Sequence, residues 1–142
     1  MEEQEHLNEF KALATKIYEA FTSAYPNSHA SINRDQEVTY PYITYDLNTN
    51  PNFSMNQEQL IINVQIFDSG KSYSGCYGVA SKLKKKFKRL KIWDDHFHLR
   101  FDVQRGASTF MEIPTGDPNI VRLEGTIQAK IDWREEDGIT NS

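Results

Sequence analysis

The sequence predicts an α/β fold of the α+β kind: a mixed, mostly antiparallel sheet with two main helices packed on one face. The predicted order is α-β-β-β-α-β-β-β. Three observations predict it. From Asn119 to Trp133 apolar and polar residues alternate almost without fault, which is the period of a strand with one dry and one wet face. Two other stretches, 2–24 and 73–90, repeat apolar residues at steps of three and four, the period of a helix. Turn-rich segments separate shorter alternating runs between them.

The first helix is predicted over 2–24, with Leu7, Phe10, Leu13, Ala14, Ile17 and Phe21 as one apolar stripe. Acidic residues in its first turn complement the helix dipole, and Tyr25-Pro26-Asn27-Ser28 stops it. Short strands follow near 30–33 and 38–47, with a change of alternation phase at Pro41 that marks a bulge or an edge strand. The Asn-rich stretch 48–56 reads as a loop. Gln57 to Phe67 is the second clear strand, with Leu60, Ile62, Val64 and Ile66 on its dry face.

Asp68-Ser69-Gly70-Lys71-Ser72 turns the chain, with Ser69 and Ser72 as candidate N-caps. The second helix runs over 73–90 on a stripe of Tyr73, Cys76, Ala80, Leu83, Phe87 and Leu90. Gly75 and Gly78 weaken its start, by roughly 1 kcal/mol each relative to Ala. These glycines allow close packing on the sheet. Lys91 to Trp93 starts a short strand that Asp94-Asp95 turns. A strand over 96–104 points Phe97, Leu99, Phe101 and Val103 inward, and Arg105-Gly106-Ala107 breaks it. Thr109 to Ile113 is a further strand, and a Pro/Gly turn then leads into the long strand. That strand, about 45 Å at roughly 3.3 Å per residue, overruns the core of a small domain unless it bends or pairs beyond it.

The 142 residues suit one domain, 1–142, ending in a polar tail over 134–142. Hydrophobic content is 38%, and eight Phe, seven Tyr and two Trp add large apolar area to the core. The net charge of −4 hides an asymmetry. The run Lys82, Lys84, Lys85, Lys86, Lys88, Arg89 and Lys91 has no acidic residue, and the rest carries 9 basic against 20 acidic residues. Such a field implies one basic patch on an acidic body. It is a candidate subunit interface or phosphate-contacting surface, or a solvated face near a helix C-terminus. Surface aromatics among the lysines would favour nucleic acid. Phe87 is the only aromatic within the run, and it belongs to the core stripe.

A single cysteine, Cys76, excludes an intrachain disulfide and fits a reducing compartment. The acidic, polar start is not that of a secretion signal, and no run approaches the roughly 18 apolar residues of a membrane span. The expectation is a soluble chain made in the cytoplasm, without membrane contact. Asn52-Phe53-Ser54 matches a glycosylation sequon by chance.

No constellation of catalytic residues stands out, and no catalytic, cofactor or metal site is expected. Gly70-Lys71-Ser72 lies between a strand and a helix as a P-loop does, but the Gly that the motif requires five residues earlier is Gln65. His96 and His98 share a strand face without an evident third ligand, so a solvated face is the expectation. Cys76 lies on the core stripe, where a nucleophile would lack access.

The layout resembles a known family. A helix precedes Tyr40-Pro41-Tyr42-Ile43-Thr44-Tyr45. The strand Leu60 to Phe67 passes through a Gly/Ser turn into a second helix, and Gly125 to Trp133 closes the fold. This is similar to the tail terminator, or tail completion, proteins of long-tailed bacteriophages and prophages. The resemblance covers most of the chain and rests on element order, length and strand character. It implies a structural protein of the virion tail or neck, made in the bacterial host cytoplasm. Such a subunit forms a homo-oligomeric ring, typically a hexamer, at the head-proximal end of the tail tube. The implied partners are other copies of the chain, the major tail tube protein and a head-closure or neck protein. Genomic DNA passes through the lumen without sequence recognition. The resemblance carries over no catalytic residue and no cofactor. Alternatives are another neck component, such as a head-closure or tube-initiation protein, or a nucleic-acid-binding module using residues 82–91. An enzyme with an unseen site is a further class.

Overall fold

The computed structural model describes residues 2–51, 57–101 and 110–134. Its elements are α1 (Glu2–Ala24), β1 (Ser28–Ala30), β2 (Tyr42–Pro51), β3 (Gln57–Ser69), α2 (Ser74–Phe87), β4 (Lys91–Trp93), β5 (Phe97–Phe101), β6 (Phe110–Ile113) and β7 (Ile120–Trp133). The strands form a single sheet in the order β1-β2-β3-β7-β5-β4, with β6 also paired to β7. Among the described residues only β1 and β2 pair in parallel; the other pairs are antiparallel. The predicted fold class and element order therefore hold, with the short strand started by Lys91 counted as β4.

The pleat explains why one face of the sheet is buried. Successive side chains of a strand point to opposite faces. Leu60, Ile62, Val64 and Ile66 of β3 and Val121, Leu123, Ile127, Ala129 and Ile131 of β7 are all buried on the helix side. Leu13, Ile17, Ala20 and Phe21 of α1 and Cys76, Val79, Ala80, Leu83 and Phe87 of α2 close over them. Aromatic contacts bind the layers: Phe21 stacks on Tyr45 with centroids 4.2 Å apart, and Phe87 touches both Phe21 and Phe101 at 4.9 Å. Among the described residues no helix lies on the opposite face of the sheet.

The long strand is paired within the chain along most of its length. On one side β7 pairs with β3 from Ile120 to Asp132. On the other, β5 covers Ala129 to Trp133 and β6 covers Arg122 to Gly125, one after the other. Its length therefore needs no partner from another molecule, and bears less on assembly than the sequence suggested.

Several boundaries moved, each for a local reason. The strand expected at 30–33 is Ser28–Ala30, because Ser31 takes a left-handed backbone (φ 68°) that turns the chain out of the sheet. The strand expected from Val38 starts at Tyr42, after a cis Tyr40–Pro41 bond. It continues through Asn48 to Pro51, because the ladder with β3 overrides the loop propensity of the asparagines. Phe10, placed on the core stripe, is 52% exposed. Neither Ser69 nor Ser72 is the N-cap of α2; Tyr73 holds that position without a side-chain bond, and the Ser72 hydroxyl instead accepts the Ser74 N–H. Gly75 does allow close packing, since a Cβ there would strike the Asp68 carboxylate, whereas Gly78 faces open space. Val103, Arg105-Gly106-Ala107, the sequon and most of the polar tail lie outside the described residues.

Candidate functional site

The basic run divides between two faces. Lys82, Lys84 and Lys85 are exposed on α2, and Lys86 is half-buried with its Nζ donating to the Ser23 hydroxyl at 3.3 Å. The Lys82 ammonium also sits 5.5 Å from the centroid of the Tyr25 ring, within cation–π range. The helix ends at Phe87, three residues before the expected Leu90. Lys88 is extended and Arg89 adopts a left-handed backbone (φ 57°), which reverses the chain toward the sheet. Ile92 then points into the core opposite Leu99. Its neighbours Lys91 and Trp93 must point the other way, to the helix-free face. Among the described residues none of the seven cations pairs with a carboxylate.

Sheet register brings two further cations to Lys91. Lys91 lies opposite Arg100, and Arg100 opposite Lys130, so three exposed cations cross β4, β5 and β7 in one row. Asp132 is the acid beside them; it accepts from Arg100 at 3.3 Å and from Gln57 at 2.7 Å. In the adjacent row Trp93 is 70% exposed and lies flat on His98, with ring centroids 3.4 Å apart. Burial and the Arg100 and Lys91 charges hold the His98 imidazole below its ordinary value, against the pull of Asp132. Sequence reasoning missed Arg100, Lys130 and Trp93 as neighbours of Lys91. The alternation told which face each occupies, but the strand order that joins them is a tertiary fact.

The opposite edge of the sheet has a different character. Asp35 and Glu37 are exposed in the loop joining β1 to β2, and Asp46 is exposed on β2 beyond the end of β1. Phe10, Tyr18, Ile32 and Val38 are each more than 40% exposed on α1 and this loop. A cleft of about 510 Å³ opens between α1 and β2, lined by Phe10, Ala14, Tyr18, Tyr45, Asp46 and Leu47 among others.

The other motifs take up structural roles. Gly70 (φ 102°) makes the turn before α2, and its N–H donates to Asn119 O at 2.6 Å. The Cys76 thiol is buried against Ile66 O, and burial with the nearby Asp68 charge pushes its pKa up to about 11. It therefore stays a protonated core group. His96 is engaged by Asp94 at 2.9 Å, apart from His98. Burial would raise the Asp94 carboxyl, but hydrogen bonds from the His96 N–H and imidazole outweigh it and the net shift is downward. Among the described residues no three His, Cys, Asp or Glu side chains gather to hold a metal. No described helix is long and apolar enough to cross a membrane.

No family model matches the chain, and no curated protein matches it. Solved structures do. One chain, known only by a sequence identifier, superposes with a TM-score of 0.64 at 12% identity, over 92% of this chain and 98% of its own length. Another is a chain from the virion of a native gene transfer agent particle. It has a TM-score of 0.56 at 6% identity, over 79% of this chain and 84% of that one. At such identities the likeness is one of fold.

Proposed function

We propose that this chain is a structural virion protein that forms a ring at the head-proximal end of a phage-type tail tube. The ring ends tube polymerisation and joins the tail to the head or neck. One observation carries the reading: the cations Lys88, Arg89 and Lys91 gather at one edge of the sheet and the acids Asp35, Glu37 and Asp46 at the other, an excess that Asp94 and Asp95 after β4 and Arg34 beside Asp35 reduce without cancelling. A ring needs two different patches that complement each other head to tail. Lys88 and Arg89 lead into the β4 edge; Asp35, Glu37 and Asp46, with exposed apolar side chains around them, occupy the β1–β2 edge. The fold likeness to a chain of a gene transfer agent virion supports the same class of particle. In this reading copies of the chain are the first partners. A tail tube protein and a head-closure protein meet the two rims, and DNA crosses the lumen.

A charge swap tests the pairing. Lys88→Glu with Arg89→Glu should break the ring into smaller species while circular dichroism stays unchanged. Adding Asp35→Lys and Glu37→Lys should restore it, because like charges across an interface are strongly unfavourable and the swap removes them. An assembly whose mass ignores both changes would exclude these edges as the contact.

A further inference from the structure

We infer that the helix-free face at its β4–β5–β7 corner contacts nucleic acid, through Lys91, Arg100 and Lys130 on the phosphates and Trp93 against an unpaired base or sugar. Two independent observations carry this. The first is the row itself. Like charges directly opposite one another on neighbouring strands destabilise a sheet. Here Lys91, Arg100 and Lys130 stand opposite one another across three strands, all exposed. The acid beside them, Asp132, is shared between Arg100 and Gln57. Among the described residues the other neighbours of Lys130 on this face, Gln59 and Gln128, are neutral. Asp132 offsets one of the three charges through Arg100, and a polyanion would relieve the repulsion that remains.

The second observation is the aromatic. Trp93 is 70% exposed although large, and one of its faces is already fixed on His98. Its other face is open beside the cationic row. Cations that follow a backbone and an aromatic that receives a base are the two parts of a sequence-tolerant nucleic-acid surface. The sequence lacked an exposed aromatic among the lysines; the strand order supplies one. An acidic protein would match the charges and could bury the ring as an interface anchor, so the test carries poly-glutamate as the competing outcome. The contact rests on the row and the aromatic and not on the ring reading.

The test uses the full chain with two labelled probes, a short duplex and an oligo-dT single strand, read by anisotropy across salt and by tryptophan fluorescence. Both probes should bind at low salt, with log K falling against log salt by about 0.9 per phosphate contact on the duplex. Arg100→Gln with Lys130→Gln should reduce that slope by about 2. Lys11→Gln with Lys71→Gln, a change of equal charge elsewhere, should leave it unchanged. Trp93→Ala should weaken the single strand about tenfold and spare the duplex. Poly-glutamate should bind without quenching tryptophan.

The inference is overturned if neither probe binds, or if the control pair costs as much as the row pair. Binding of poly-glutamate with the same quenching as oligo-dT would overturn it in favour of an acidic protein partner. Light scattering on the same samples reports the ring separately. DNA binding by a monomer would count against the ring alone, and rings that ignore DNA would count against this corner alone.

Discussion

At the scale of single residues, burial decides what each group can do. Gly75 and Gly78 look equivalent in the sequence, three positions apart in one helix, but only Gly75 faces a neighbour. Gly78→Ala should therefore stabilise the fold by about 0.5–1 kcal/mol, the usual gain in a helix interior. Gly75→Ala should gain less or nothing, because the Asp68 carboxylate must move aside. Denaturant midpoints of the two variants check this, and equal shifts would contradict it. His98 gives a pH signature. Its folded pKa lies below the ordinary 6.5, so the unfolded chain takes up the proton first on acidification. The group is neutral in both states well above pH 6.5, and its cost grows as pH falls from there through the folded value. Stability should drop as pH falls through and below about 6.5, with part of the drop absent in His98→Gln. An NMR titration midpoint above 6.5 would contradict the burial argument. Both residues were visible as candidates in the sequence; what each touches was not.

Elements were legible where the pattern was long. α1, β3 and β7 agree closely with expectation because each repeats one period over many residues, and burial follows that period. The short elements moved. β1 and the start of β2 are set by the turn at Ser31 and the Tyr40–Pro41 segment, which Tyr25 and Asn27 tie down by hydrogen bonds to Pro41 O and Thr39 O. The end of α2 depends on the left-handed Arg89, which no periodicity announces. That single turn separates Lys91 from the helix cations and joins it to Arg100. The row on β4, β5 and β7 predicts an unusual trade. Lys130→Gln removes a like-charge neighbour of Arg100, so it should raise stability by a few tenths of a kcal/mol while weakening nucleic-acid binding. Paired chemical denaturation and anisotropy measure both. A loss of stability would show that Lys130 is held by an interaction rather than repelled.

At the scale of the whole molecule, the sequence conveyed the charge asymmetry and the one-layer architecture but not their relation. The strand order places the β1–β2 edge, with Asp35, Glu37 and Asp46, and the β4 edge at opposite ends of one sheet, and in the ring reading this turns an asymmetry into a pair of complementary surfaces. The over-long strand, by contrast, is paired by β3 on one side and along most of the other by β5 and β6, so in the ring reading assembly rests on the edges and not on β7. The most direct measurement is the solution mass by multi-angle light scattering, across protein concentration and salt. The ring account predicts a discrete closed species of about six copies that weakens as salt screens the edge charges. A monomer at every concentration and salt, unchanged when purified tail tubes are added, would contradict it.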